Sequence, residues 1–303
     1  MSAAEVTQSL RDGLVLGETL GSGAFGVVLR GRLPRALVPT DAQYLLHDPM
    51  QPVLEVAVKT IQANASEQSH NEFIEEARMV SQFNHPNVVR AIATLLEAEP
   101  HLCVLELLPY GDLRDVLKKS KKSNILWTES EFAYTLAQVA SGLNYLESIR
   151  FVHRDIAARN CLVGHGLSVK ISDFGLSRLL AQDTDYYRME HKGRLPVKWM
   201  APECLNYRTF THQSDVWSFG VLAWETFSYG ASPYGSMAGR EILAVVEAGS
   251  RLERPENCPL NLFAMVQACW EMNPQARPRF AALSSYFTNL SVNQPVRDIG
   301  ALL

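Results

Sequence analysis

Apolar positions change period several times along the chain, and each change marks an element. Leu14 to Arg30 reads LVLGETLGSGAFGVVLR, two apolar runs rich in β-branched residues around Gly21, Gly23 and Gly26, which predicts a hairpin with a glycine-rich turn. Leu54 to Thr60, LEVAVKT, alternates up to a lysine and reads as a strand with Ala57 and Lys59 on one face. From Asn64 to Phe83, Phe73, Ile74, Ala77, Met79 and Val80 recur at helical spacing beside Glu72, Glu75 and Glu76, the mark of an amphipathic helix. His85, Pro86 and Asn87 break the chain, after which Val88 to Leu95 and Leu102 to Leu107 read as two further strands. A helix is expected to begin at Asp112, and a longer one from Thr128 to Ser148 buries Phe132, Leu136, Val139, Leu143 and Leu146. Three stretches carry no period: Arg32 to Pro52, with four prolines, reads as a long exposed strand connection, KKSKKS from Lys118 to Ser123 as a solvated loop, and SVNQPVRDIGALL after Leu290 as a fraying tail.

Composition narrows the class. A chain of 303 residues suits two lobes or one large domain, and 47% apolar with 20% charged residues fits a soluble globular protein. The formal charge of −4 argues against an obligate nucleic-acid binder. Five cysteines, Cys103, Cys161, Cys204, Cys258 and Cys269, form no CxxC pair, so neither a disulfide framework nor a structural zinc site is suggested and a reducing compartment fits best. MSAAEVTQSLRDG at the start has no apolar signal core, and no stretch of about 18 apolar residues occurs, so neither secretion nor a membrane span is expected of this chain. Its abrupt ends would suit a catalytic domain cut from a longer receptor.

The candidate chemistry centres on HRDIAARN, His153 to Asn160, and on Asp173, Phe174 and Gly175 thirteen residues later. Asp155 can accept a hydrogen bond from an incoming hydroxyl, while Asn160 and Asp173 offer the hard oxygen ligands that magnesium prefers. His153 reads as a packed structural residue, and Arg154 is well placed to receive a phosphate. In the first hairpin, bare glycines let backbone N–H groups approach phosphate oxygens, with Phe25 at the tip as a cap. GxGxxG alone also fits a Rossmann turn, but Val27, Val28 and Leu29 continue as a strand where that turn needs a helix.

Taken with AAR at Ala157 to Arg159 and PVKWMAPE at Pro196 to Glu203, these motifs resemble the eukaryotic protein kinases, and specifically the protein tyrosine kinases. The resemblance covers Leu14 to Leu290. It implies an α+β, bilobal protein kinase fold: a small β-rich N-lobe over 14–107 and a larger helical C-lobe over 108–290, joined near Leu108 with the nucleotide between them. It implies ATP as cofactor, with magnesium or alternatively manganese. Lys59 would hold the α and β phosphates and pair with Glu76, and Gly21, Gly23 and Gly26 would cover them. Val28, Ala57 and Leu162 would sandwich the adenine, Leu105 would be the gatekeeper, and Glu106 and Leu108 would offer backbone hydrogen bonds. Asp155 would be the base, Asn160 and Asp173 the metal ligands, and Arg159 would bridge toward the phosphate. Leu195, Pro196 and Val197 would form the floor that sets a tyrosine's longer reach. Asp215 would hold the catalytic loop from below, Glu203 and Arg277 would form a buried ion pair, and Trp199, Trp217, Trp224, Trp270, Cys204 and Cys269 read as core.

Tyr186 and Tyr187, in DYYR, resemble the autophosphorylated pair of receptor tyrosine kinases of the insulin-receptor type, although the earlier third tyrosine of that pattern is missing. A phosphate there could bridge to Arg178 or Arg154 and order the segment. The implied partners are protein substrates bearing tyrosine, a second copy for trans-autophosphorylation and phosphotyrosine readers of the SH2 or PTB type, with no nucleic acid. The implied location is cytoplasmic, as part of a single-pass receptor. A catalytically inactive pseudokinase scaffold is the alternative, against which every chemical residue is intact. A serine/threonine or dual-specificity enzyme is disfavoured by Ala157, Arg159 and Pro196.

Overall fold

The computed structural model describes residues 3–23, 26–46, 48, 50–62, 64–175, 178–179, 187–188 and 195–303, which fall into two compact units, Met1–Leu107 and Leu108–Leu303. The first unit contains α1 (Ala3–Gly13), β1 (Val15–Gly23), β2 (Gly26–Pro34), β3 (Val53–Thr60), α2 (Glu67–Val80), β4 (Ala91–Leu95) and β5 (Leu102–Glu106). Its strands pair antiparallel in the order β1-β2-β3-β5-β4. Alternation along β3 sorts the two faces of the sheet. Val56 and Val58, with Val104 across from Val58, are buried in a core that includes Leu10, Val38, Ala42 and Leu95. On the other face Cys103, the cross-strand partner of Lys59, packs with Phe73 and Ala77 of α2.

Helix α2 starts later than its periodicity suggests because the Ser66 hydroxyl accepts the Ser69 N–H at 3.2 Å and caps it. The stretch from Arg32 to Pro52 is not an exposed connection. β2 continues to Pro34, turns of 3-10 helix follow at Arg35–Leu37 and Thr40–Leu45, and Val38 and Ala42 are buried while Asp41 pairs with Arg90. Its apolar residues come in short runs between prolines, Ala36 to Val38 and Tyr44 to Leu46, too short to show a period yet enough to close one face of the sheet. Helix α1, unexpected from the sequence, buries Leu10, and Arg11 donates to the carbonyls of Leu95, Ala98 and Pro100 at 3.0, 2.9 and 2.9 Å.

The second unit is mainly helical, as the resemblance implies. It holds α3 (Leu113–Lys122), α4 (Glu129–Ser148), β6 (Phe151–Val152), β7 (Cys161–Gly164), β8 (Ser168–Ile171), β9 (Arg178–Leu179), β10 (Tyr187–Arg188), α5 (Pro202–Tyr207), β11 (Thr209–Phe210), α6 (His212–Phe227), α7 (Gly239–Glu247), α8 (Leu260–Ala268) and α9 (Phe280–Ser291). Helices α4, α6 and α9 meet through aromatic rings: Phe132 lies 4.9 Å from Phe227, and Phe219 lies 6.2 Å from Phe280 and 6.0 Å from Phe287, centroid to centroid. Thr128 and Glu131 form a reciprocal capping box that starts α4. Among the described residues no helix is long and apolar enough to cross a membrane.

Lys118 to Lys122 are not a loop but the last turns of α3, where positive charge suits the helix C-terminus, and buried Ser120 accepts the Trp127 indole N–H at 3.0 Å. The segment after Leu290 is not a fraying tail. Arg297 donates Nε to Glu131 Oε1 at 2.6 Å and Nη2 to Oε2 at 2.8 Å, and Ile299 is fully buried. Gly300 lies so close to the Tyr110 ring that an added Cβ would sit 1.9 Å from it.

Candidate active site

In the first unit the predicted nucleotide residues fall on adjoining strands. Val28 is the cross-strand partner of Gly21 on one side and of Lys59 on the other, and Ala57 lies directly opposite Leu105. Directly opposed residues share a face, so Val28, Ala57, Lys59 and Leu105 line the side of the sheet that carries α2. Lys59 Nζ donates to Glu76 Oε1 at 2.6 Å, and the two side chains are 17% and 10% exposed, so the pair is shielded from the screening that makes surface ion pairs weak. Helix α2 brings Glu76 inward, whereas Glu75 is exposed and Glu72 half-buried, accepting from Gln68 at 2.9 Å. Glu106 turns to the opposite face: its N–H donates to the Arg90 carbonyl at 3.0 Å and its carboxylate accepts the Arg90 N–H at 2.8 Å.

The glycines of the hairpin differ. Gly26 has φ 146°, and a Cβ there would lie 2.1 Å from the Thr60 carbonyl oxygen, so the fold itself requires glycine. At Gly21 no described atom lies within 4 Å of an added Cβ, so the fold makes no such demand. Gly23 is paired with Gly26 across the turn. Phe25 lies outside the described residues.

In the second unit one hairpin gathers the chemistry. β7 and β8 pair from Cys161 with Ile171 to Gly164 with Ser168, so Asn160, just before the hairpin, meets Ser172 and Asp173, just after it. Ser172 N–H donates to the Asn160 carbonyl at 2.8 Å. Asn160 is buried and its Nδ2 donates to the Asp155 carbonyl at 2.8 Å, which leaves the side-chain oxygen as the atom able to ligate a cation. Asp173 has φ 58°, a conformation aspartate adopts more readily than most residues, and its Oδ1 accepts the Gly175 N–H at 3.3 Å. Phe174 is buried, 5.1 Å from the His153 ring and 6.0 Å from Phe151. Leu108 is buried, and the chain beyond it is tied to β7: Tyr110 N–H donates to Val163 at 3.1 Å, and Val163 N–H to Gly111 at 2.8 Å, beside half-buried Leu162.

The loop carrying Asp155 is held from beneath by two buried acids. Asp215 accepts the N–H groups of His153 and Arg154 at 2.8 and 2.9 Å, and burial pushes its pKa up to about 7 against those hydrogen bonds. Glu225 accepts the Ala158 N–H at 3.0 Å and the Trp199 indole N–H at 2.8 Å, and burial raises its pKa as well. Trp199 in turn lies 4.3 Å beneath the Arg159 guanidinium, whose Nη2 donates to Asp155 Oδ1. The carboxylate of Asp155 is thus oriented through Arg159, Trp199 and Glu225. Sequence reasoning missed Glu225, although an acid inside the apolar run of α6 was a visible signal. Arg154 is buried at φ 71° with its guanidinium 4.3 Å from the Phe210 ring. Burial lowers the pKa of His153, which favours a neutral, packed ring. Trp217 and Trp270 are core residues, but Trp199 and Trp224 are only half-buried. Glu203 and Arg277 form a two-pronged pair at 2.6 and 2.9 Å. Tyr186 lies outside the described residues; the backbone of Tyr187 pairs with Phe210 and that of Arg188 with Thr209.

An antiparallel sheet carrying a part-buried lysine–glutamate pair, and a helical unit in which a hairpin joins an amide to a second acid beside a braced aspartate, define a phosphotransferase of the protein kinase class. The chain belongs to the protein tyrosine and serine/threonine kinase family, whose profile it matches over residues 14–287. Use of ATP and a divalent metal goes with that family. Several of its relatives are named tyrosine-protein kinases. It is 38% identical over 288 residues to the tyrosine-protein kinase HTK16 of Hydra vulgaris, covering 95% of this chain and 36% of that protein. It is 40% identical over 279 residues to the tyrosine-protein kinase transforming protein ros of UR2 avian sarcoma virus, covering 89% and 67%. It is 39% identical over 276 residues to the insulin receptor of Xenopus laevis, covering 89% and 19%. The chain therefore spans about a third of the first of these relatives and about a fifth of the last.

Proposed function

We propose that the chain is an active protein tyrosine kinase that transfers the γ-phosphate of ATP to tyrosine hydroxyls of proteins. The observation that carries this reading is the braced Asp155, whose carboxylate takes the Arg159 guanidinium while Asn160 ties back to its carbonyl. An aspartate held this way can accept the hydrogen bond of an incoming phenol and orient it. Lys59, aligned by Glu76, takes the α and β phosphates, with Gly21, Gly23 and Gly26 over them. Val28, Ala57, Leu105 and Leu162 contact the adenine, and the backbones of Glu106 and Leu108 hydrogen-bond to it. The all-oxygen donor set of Asn160 and Asp173 fits magnesium, with manganese as a substitute, and the ion supplies neutralisation of charge that develops on the phosphates.

Leu195, Pro196 and Val197, half-buried before α5, serve as the floor for the substrate backbone. Tyr186 and Tyr187 are the sites of autophosphorylation between two copies, and readers of phosphotyrosine follow. The whole protein is a receptor with this domain on the cytoplasmic side; one relative is named the tyrosine-protein kinase transmembrane receptor Ror of Drosophila melanogaster, at 38% identity.

Incubating the chain with ATP, magnesium and a glutamate/tyrosine copolymer tests the reading. Tyrosine phosphate is expected well above an Asp155→Asn control; nucleotide binding without transfer would replace it with the pseudokinase reading.

A further inference from the structure

Two histidines of the first unit that phosphotransfer does not use meet edge to face. His70 lies in the first turn of α2 and His101 just before β5, with ring centroids 5.7 Å apart. Nδ1 of each ring is buried and meets no hydrogen-bond partner among the described residues, and two such nitrogens side by side ask for an explanation. Glu99 stands beside them: one nitrogen of each ring and one carboxylate oxygen all lie within 4.8 Å of one another.

We propose that His70, Glu99 and His101 bind one divalent transition-metal ion, with zinc as the occupant, and that the ion ties the first turn of α2 to the connection between β4 and β5. Two imidazoles and one carboxylate are a donor set suited to zinc, which takes nitrogen and oxygen at about 2.0–2.2 Å in a tetrahedron and fills a fourth position with water. Tetrahedral bonds of that length place ligand atoms about 3.4 Å apart, so groups within 4.8 Å of one another need to close by at most about 1.4 Å. Glu99 is exposed and free to swing, whereas His101 is held, its carbonyl accepting the Thr60 hydroxyl at 2.9 Å. Magnesium, which asks for an octahedron of oxygens, does not compete.

The placement has a consequence for the helix. Glu76 follows His70 by six residues on α2, about 9 Å along the axis, so a metal at His70 restrains the element that carries the partner of Lys59. The site itself stands apart from the phosphotransfer reading and survives its failure.

Calorimetric titration of the chain with zinc chloride in excess magnesium tests it, with cobalt(II) absorption as a report on tetrahedral nitrogen ligation. One ion per chain is expected, with a rise in melting temperature. His70→Ala and His101→Ala should each weaken binding at least about a hundredfold, and Glu99→Gln about tenfold. The double variant His70→Gln/His101→Gln keeps polar bulk at both positions, and far-UV circular dichroism checks its fold. Zinc uptake by that variant equal to the parent's, or no uptake by the parent, would overturn the proposal.

Discussion

The Arg154 amide donates to Asp215 Oδ1 at 2.9 Å, and the adjoining His153 amide to Oδ2 at 2.8 Å, so one buried carboxyl fixes two successive peptides of the loop that carries Asp155. Its pKa stands at about 7, above the ordinary value of about 3.9, because burial outweighs the two donors. The folded state then holds the proton more tightly than the unfolded one. This contribution to stability is fully present below about pH 4 and is lost as pH rises through the folded value. The melting temperature of the parent minus that of Asp215→Asn should therefore shrink from about pH 5 to about pH 8; a gap that widens with pH would contradict the account.

Glu76→Gln removes the charge that aligns Lys59 and keeps its shape. A charge-assisted hydrogen bond is worth about 2 kcal/mol, so kcat/KM for ATP should fall about thirtyfold. Glu75→Gln, one residue earlier and exposed, should leave it unchanged. Equal losses in the two variants, measured by steady-state kinetics, would dissociate the ion pair from activity.

Arg297→Ala leaves the Glu131 carboxylate, fully buried as a side chain, without its guanidinium. The expected cost is about 2 kcal/mol, since the Thr128 amide still donates to Glu131. Urea denaturation of the second unit's transition reads it; an unchanged midpoint would show that the C-terminal segment only rests on the surface.

Replacing Tyr186 and Tyr187 together by phenylalanine should lengthen the lag before full activity while leaving the rate of the pre-phosphorylated parent as the ceiling. A progress curve identical to the parent's would remove the regulatory role of the pair.

Much of this was readable because local signals and tertiary burial agree. The alternation up to Lys59, the Thr128 cap of α4 and the HRDIAARN stretch each announce themselves within a few residues. Elements missed in the sequence owe their shape to distant partners. Helix α1 offers little more than Val6 and Leu10 as apolar positions and is seated by Arg11 on carbonyls 84 to 89 residues away. Arg297 looks like any surface arginine until Glu131, 166 residues earlier, turns out to be buried. Ser120 likewise interrupts a lysine run that reads as solvated, though its hydroxyl closes a bond to Trp127.

The five cysteines are all buried and unpaired, and burial lifts Cys103, Cys204, Cys258 and Cys269 to a pKa of about 12. None offers a nucleophilic thiolate at neutral pH. Maleimide or iodoacetamide would therefore pass over the native molecule, and a single cysteine installed on its surface would take up a fluorophore or spin label alone, with no need to strip the natural ones first.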